Sequence, residues 1–359
     1  MEKILSELEE IADKIESLED KREKLGRFLN DIKATDLKER NIPENHLSLP
    51  VKPSDLKNRK IGAVDGGLVK KEYHAVDLVL TKAAAAIFEY HGELENVYYL
   101  PDPIPTPKLS VFTRPYSQRD FSLAANLERM DIEAELMLKT RRQDLDLLML
   151  DGSIVPHPSS RPDKDSLAHE KYKEVVRKYE KLLTSSAAHV VGVSEDSRST
   201  RLSEILSDKI LSKVSSPRSD ELEKILETTR DTNLLFHVLK QGERSFCFPY
   251  NKDSKKSNVK KELIENVYSF YLKTTEYDRP IRVDFYAEEK PIKKADEIAS
   301  LLLPVSSQNE EYGIPVMLIE ADSRAKLREE ELGFIYSTLQ DKVGSVPSLY
   351  KLRRNKRPF

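Results

Sequence analysis

One stretch constrains the fold of this chain more than any other: Leu145-Asp146-Leu147-Leu148-Met149-Leu150-Asp151-Gly152-Ser153. Five of its first six residues are apolar. The run is too short for a buried helix, so it predicts a strand covered on both faces. Layers of helix on a sheet of that kind define an α/β fold. The run stops at a carboxylate, Asp151, where a core strand leaves the sheet. In open α/β sheets that edge is where ligands bind. Ile61-Gly62-Ala63-Val64-Asp65-Gly66-Gly67 repeats the device upstream. Two apolar runs that each end at Asp-Gly predict neighbouring strands presenting Asp65 and Asp151 to one site.

Paired carboxylates on strand ends are hard oxygen donors suited to Mg²⁺ or Mn²⁺. The plainer reading of each Asp-Gly is a turn. A third acid is expected from the helix read over Gln118 to Arg142, whose inner stripe is Leu123, Leu127, Met130, Ala134, Met137 and Leu138. Glu133 borders that stripe and can reach the sheet edge, Asp131 borders its other flank, and Glu128 and Glu135 point away. Asp196 follows a further strand, Ala187 to Val193, in a polar cluster with Arg198 and Arg201. Those arginines suit bidentate contact with phosphate, or the cluster is simply a helix start capped by Ser197 or Ser199. Arg282, Asp284 and Tyr286 alternate along a late strand and share a face, either solvated or part of the site. Asp322 follows the apolar Met317-Leu318-Ile319 as a further ligand or as a helix N-cap. His157, between two prolines, reads as a loop residue.

The N-terminus carries the other strong pattern. Ile4, Leu8, Ile11, Ile15, Leu18, Leu25 and Leu29 advance by alternating steps of four and three, broken only at Arg22. This heptad-like stripe predicts a coiled-coil-like helix over about 1–30 that serves a second subunit or partner; the alternative is a helix packed on its own domain. Pro43, Pro50 and Pro53 mark a connector. The expected organisation is therefore 1–54 as helix and connector, 55–340 as the main domain, and 341–359 as a basic tail. Within the main domain, Ala75 to Leu80, Ala83 to Tyr90 and Asn96 to Leu100 read as separate strands. Pro101 to Pro107 reads as a loop, Leu167 to Leu183 and 202–240 as helical, and Lys252 to Lys261 as a basic link. Ser245 to Tyr250 and Arg279 to Tyr286 read as strands, Ala295 to Leu303 as a helix, Pro315 to Glu320 as a strand or helix approach, and Asp322 to Leu339 as the last helix.

Charged residues make up 34% of the 359, yet the formal net charge is only −3, so nucleic-acid contact must come from local basic patches. A lone Cys247 excludes an intrachain disulfide or multi-Cys zinc site and fits a reducing cytosol. No apolar run has membrane-spanning length. Gly-x-x-x-x-Gly-Lys, Gly-x-Gly-x-x-Gly, Gly-x-Ser-x-Gly and His-Glu-x-x-His are all missing, which removes P-loop, dinucleotide, esterase and zincin chemistry.

Val64-Asp65-Gly66-Gly67, a Glu-bearing helix, Leu150-Asp151-Gly152-Ser153 and Gly192-Val193-Ser194-Glu195-Asp196-Ser197-Arg198 occur in the order that resembles the NurA nuclease family, over about residues 55–340. The resemblance implies an RNase H-like mixed sheet flanked by helices and a cytoplasmic, manganese-dependent (or magnesium-dependent) DNA nuclease. It implies single-strand endonuclease and 5′–3′ exonuclease activity, a homodimer, and work on DNA ends in end resection, mostly in archaea, with a hexameric HerA-type ATPase. It assigns Asp65, Glu133 and Asp151 to catalysis and metal binding, with Asp322 as a further metal ligand. Tyr286 matches the family's late-strand aromatic, and Arg198, Arg201 and Tyr286 become DNA contacts. Two ions would then activate a water and steady the leaving 3′ oxygen. The chain departs from the family in lacking a Lys near Glu195 and a His after Ala321. A motor-docking adaptor and a junction resolvase of the same fold are the alternatives.

Overall fold

The computed structural model describes residues 2–31, 44, 46–184, 189–208, 224–251, 259–344 and 346–353. Backbone contacts divide the chain into two compact units. One comprises Met1–Ser54, Val193–Ser254 and Ile264–Pro315; the other comprises Asp55–Gly192, Lys255–Leu263 and Val316–Phe359.

The second unit is built on a long hairpin. β2 (Arg59–Glu72) and β3 (Asp77–Tyr90) pair antiparallel along their whole length. β6 (Leu147–Asp151) lies parallel to β2, with Val64 opposite Leu150, and β4 (Leu94–Leu100) lies antiparallel to β3. β5 (Lys108–Phe112) pairs with the first part of β3, and β7 (His189–Ser194) neighbours β6. The strand order β4-β3-β2-β6-β7 is a mixed sheet, as anticipated. Ile61, Ala63, Val64 and Leu147 to Leu150 are all essentially inaccessible to solvent, so the two core runs are covered on both faces. α2 (Gln118–Thr140) and α3 (His169–Leu183) pack together, and α2 lies on β2 and β3. α7 (Val316–Ala325) lies on the same two strands and is followed by α8 (Glu329–Val343).

Gly66 and Gly67 show why the helices come so close. A Cβ built on Gly66 would sit 2.5 Å from Glu133 Oε1 of α2, and one built on Gly67 would collide with the Ala325 carbonyl of α7. Successive strand residues face opposite sides, so α2 and α7 cover opposite faces. The Asp-Gly-Gly sequence is therefore not a turn. β2 runs straight through Asp65, and only Asp151 ends a strand.

The first unit holds β1 (Ser48–Pro50), β8 (Glu243–Ser245), β10 (Val267–Lys273) and β11 (Ile281–Tyr286) in that order, with the short β9 (Phe248–Pro249) on β10. α4 (Arg201–Leu206), α5 (Asp231–Val238) and α6 (Pro291–Ser306) complete it together with α1 (Glu2–Asp31). Leu25 and Leu29 of α1 are buried with Leu234, Leu235 and Val238 of α5, beside Phe246, Phe248 and Tyr271. Further toward its N-terminus, α1 leaves Ile4, Leu8, Ile11, Ile15 and Leu18 44–60% exposed.

Several expectations need correction. The two strands expected over Ala75 to Leu80 and Ala83 to Tyr90 are one, Asp77–Tyr90, because Thr81 and Lys82 stay in the ladder. Of the two readings of Pro315 to Glu320 the helical one holds, from Val316 onward, and the expected last helix is two, α7 and α8, separated at Lys326 to Arg328. Asp322 lies within α7 and is not its N-cap. Arg282 and Asp284 do not form a solvated face. Asp284 is buried, accepts from Ser269 Oγ at 2.6 Å and from Arg282 Nε at 2.8 Å, and Arg282 lies over the Tyr250 ring. Most of the basic link (252–258), part of the 202–240 region (209–223), the start of the strand expected from Ala187, and the tail beyond Arg353 lie outside the described residues. No helix among the described residues is long and apolar enough to cross a membrane.

Candidate active site

The parallel register brings the two strand acids side by side. Val64 stands opposite Leu150, so Asp65 and Asp151 follow as the next residues on adjacent strands, whose axes are about 4.8 Å apart. Asp65 is 5% exposed, whereas Asp151 reaches solvent. Helical phase delivers the third acid from above. Glu133, 2% exposed, rests on Gly66, the residue after Asp65. From the opposite face α7 brings Asp322, exposed and close enough to act on Asp65.

Electrostatics report the convergence. Burial pushes the Asp65 carboxyl up to about 6, the Asp151 charge and then Asp322 add to the rise, and the Gly66 N–H and Arg129 oppose it. Burial drives Glu133 further, to about 8, with Asp65 and Asp151 again raising it and Arg129 resisting. Crowded carboxylates in a poorly hydrated place resist ionisation unless a cation joins them. Arg129, one helical turn before Glu133, pairs with Glu133 Oε1 and also feels Asp65 and Asp151. Its guanidinium is steadied by Asn126 Oδ1 at 3.3 Å. Tyr179 of α3, buried beside Glu133 and Arg129, has its phenol pushed up by burial.

Among the described residues, no three His, Cys, Asp or Glu side chains stand close enough together to hold a metal ion as placed. Arg129 pairs with Glu133. Hard oxygen donors whose ionisation is suppressed chiefly by burial, and further by one another's charge, fit a divalent cation. Asp65, Glu133 and Asp151 would hold it, with Asp322 near at hand.

The remaining predicted residues are placed as follows. Asp131 is committed elsewhere, to Lys171 at 2.8 Å and Lys178 at 2.6 Å on α3, which hold its carboxyl below its usual range against burial. Arg198, Arg201 and Tyr286 belong to the other unit. Arg198 is exposed, Arg201 is half-buried with Glu204 at 3.6 Å, and Tyr286 donates to Glu288 at 2.6 Å. Asp196 pairs with Arg279 at 2.8 Å. At the start of α4 Ser199 Oγ accepts from the Arg201 N–H at 3.1 Å, as the capping reading expects, and Asp231 accepts from the Leu202 and Ser203 N–H groups. His157 caps a short turn through Ser159 and is a loop residue. Arg129 was not foreseen; its one signal was the four-residue spacing to Glu133.

Acids from adjacent strands and from helices on both faces of a mixed sheet define an acid-centred α/β protein. The chain belongs to the NurA family: the NurA domain model matches residues 59–327. The NurA nuclease from Sulfolobus solfataricus has a similar crystal structure, with 17% identity, TM-score 0.62, and coverage of 97% of this chain and 100% of that one. A second NurA structure has 13% identity and TM-score 0.49, covering 97% and 99%. A NurA structure with manganese has 13% identity and TM-score 0.43, covering 82% and 91%. No curated protein matches the sequence.

Proposed function

We propose that this chain is a divalent-metal-dependent DNA nuclease, with Asp65, Glu133 and Asp151 as metal-holding catalytic acids and Asp322 as an auxiliary ligand. The observation that carries the reading is the convergence of a 2%-exposed Glu133 and a 5%-exposed Asp65 on Asp151, with ionisation opposed until positive charge arrives. When bound, Mn²⁺ or Mg²⁺ supplies Lewis-acid polarisation of a phosphoryl oxygen and an acidified water. The chain supplies the rest. Asp65 is a fixed oxygen donor inside a paired strand, Arg129 orients Glu133, and exposed Asp151 opens the site to a strand of DNA.

The finer reading is a single-strand endonuclease and 5′–3′ exonuclease that resects DNA ends in the cytoplasm with a hexameric HerA-type ATPase. Membership of the NurA family supports it. The exposed heptad stripe on α1 supports a homodimer joined through that helix. Arg198, Arg201 and Tyr286 are proposed DNA contacts, Tyr286 by stacking on a base.

The test is cleavage of labelled single strand, blunt duplex and four-way junction with Mn²⁺, Mg²⁺ or chelator. Metal-dependent cutting of single strands and ends is expected, and Asp151→Ala should abolish it while the chain still folds. Preference for junctions would indicate a resolvase, and no cleavage under any condition would leave an adaptor.

A further inference from the structure

The loop Pro101-Asp102-Pro103-Ile104-Pro105-Thr106-Pro107 is held in a way that its connecting role does not require. Leu100, Ala85, Val64 and Leu150 lie on one row across β4, β3, β2 and β6. β4 runs in the same direction as β2 and β6, so the loop leaves the sheet on the side where Asp65 and Asp151 stand. Two strand spacings, about 10 Å, separate its root from β2. At the tip Ile104 is 83% exposed, more than any other large apolar side chain among the described residues. Prolines on either side fix the backbone, Pro105 is buried, and Asp102 Oδ1 accepts from the Ile104 N–H at 3.1 Å.

The root is clamped to α7, the helix that carries Asp322. Arg324 donates to the Pro103 carbonyl at 2.5 Å and lies 3.5 Å over the Tyr99 ring. Glu320 Oε1 accepts from Arg324 Nε at 2.9 Å and from the Tyr99 hydroxyl at 2.9 Å. An exposed isoleucine on a stiff, anchored loop lowers no folding energy. Below it lies a cleft of about 280 Å³ whose lining includes Lys82, Lys108, Lys139 and Thr81. The Thr81 hydroxyl is buried without a hydrogen-bond partner, Lys108 pairs with the half-buried Glu128 at 3.0 Å, and Lys139 pairs with the exposed Glu135 at 2.8 Å. The exposed Lys139–Glu135 pair is weak, and a phosphate can replace its carboxylate.

We infer that Ile104 is a wedge that enters the base stack at the end of a DNA duplex and parts the strands, while the phosphates of the retained strand follow the lysine-lined cleft toward the metal-holding acids. Apolar side chains that insert between base steps unstack them in this manner, and a β-branched side chain between prolines is rigid before it binds. The inference rests on the nuclease reading and adds the kind of end the site accepts.

The experiment compares the full chain with Ile104→Ser, a change at an exposed tip, on a single strand, a blunt duplex and a duplex with unpaired terminal bases, all with Mn²⁺. The variant should cut the single strand and the frayed duplex at the wild-type rate and the blunt duplex about tenfold more slowly. Equal rates on the blunt duplex overturn the wedge. A second arm uses chelator, so that nothing is cut, and a blunt duplex carrying 2-aminopurine at its terminal pair. Wild-type protein should raise the fluorescence and Ile104→Ser should not. A wild-type chain that leaves it unchanged overturns the wedge even if cleavage is seen. No cutting of any substrate, with the fluorescence rise intact, overturns the nuclease reading alone.

Discussion

Replacing Glu133 with Gln should make the metal-free protein more stable while destroying its activity, and the pH dependence identifies the cause. Glu133 ionises near 4.5 when unfolded and at about 8 when folded. Below 4.5 both states hold the proton and nothing is lost. As pH rises from 4.5 to about 8 the unfolded chain gives up its proton while the folded one keeps it, so stability falls across that window and levels off above it. The gap corresponds to about 5 kcal/mol at most. Asp65, raised from 3.8 to about 6, adds a smaller decline that is complete at lower pH. Even ~2 kcal/mol moves a melting temperature by about 4–8 °C in a domain of this size. Thermal melts by circular dichroism in chelator, between about pH 5 and pH 8.5, should therefore show wild type losing stability on the way up. Glu133→Gln should lose the part of that decline above about pH 6 and melt higher at alkaline pH. Saturating Mn²⁺ at ~100 times its Kd adds ~2.7 kcal/mol to wild type and should add little to the variant. An equal decline between pH 6 and 8 in both proteins would refute the account of a crowded, cation-seeking acid.

Gly67→Ala forces a methyl into the Ala325 carbonyl and should lower the melting temperature by the equivalent of about 1–3 kcal/mol, read by calorimetry. Arg129→Met leaves Glu133 without its partner; it should destabilise the chain in chelator at alkaline pH by about 3–5 kcal/mol, with Mn²⁺ restoring much of the loss in the same melts. Ile11→Glu with Ile15→Glu alters side chains already 50% and 60% exposed. The double variant should fold normally yet halve the mass seen by light scattering if α1 joins two copies.

The two core strands were readable because Ile61 to Val64 and Leu147 to Leu150 bury both faces, which leaves an uninterrupted apolar run. Glu133 was readable from helical phase, since it borders the stripe containing Met130 and Met137. Arg129 was not, because Arg and Glu four residues apart are commonplace on exposed helices. What made this pair different, burial against Asp65 and Asp151, exists only after the sheet forms. Thr81 and Lys82 divide β3 in the sequence because both are polar within an apolar run, yet Thr81 is fully buried in the folded strand. Met317 to Ile319 resembles a strand until Met317, Leu318, Ala321 and Ala325 are seen to share a buried helical face. The division of residues between two units follows contacts far apart in sequence, which no local pattern encodes.

The hairpin that runs straight through Asp65 gives the two strand acids unequal freedom. Asp65 lies inside the β2–β3 ladder opposite Ala84, one residue past the last β2–β6 pair, so its main chain is a fixed post that opens only with the hairpin. Asp151 is the last residue of its strand, followed by Gly152 at φ 88°. In the proposed centre, an acid fixed within a ladder beside one at a strand's end would let their oxygen-to-oxygen span adjust as negative charge builds on the phosphoryl oxygens, without disturbing the strand that keeps it in register.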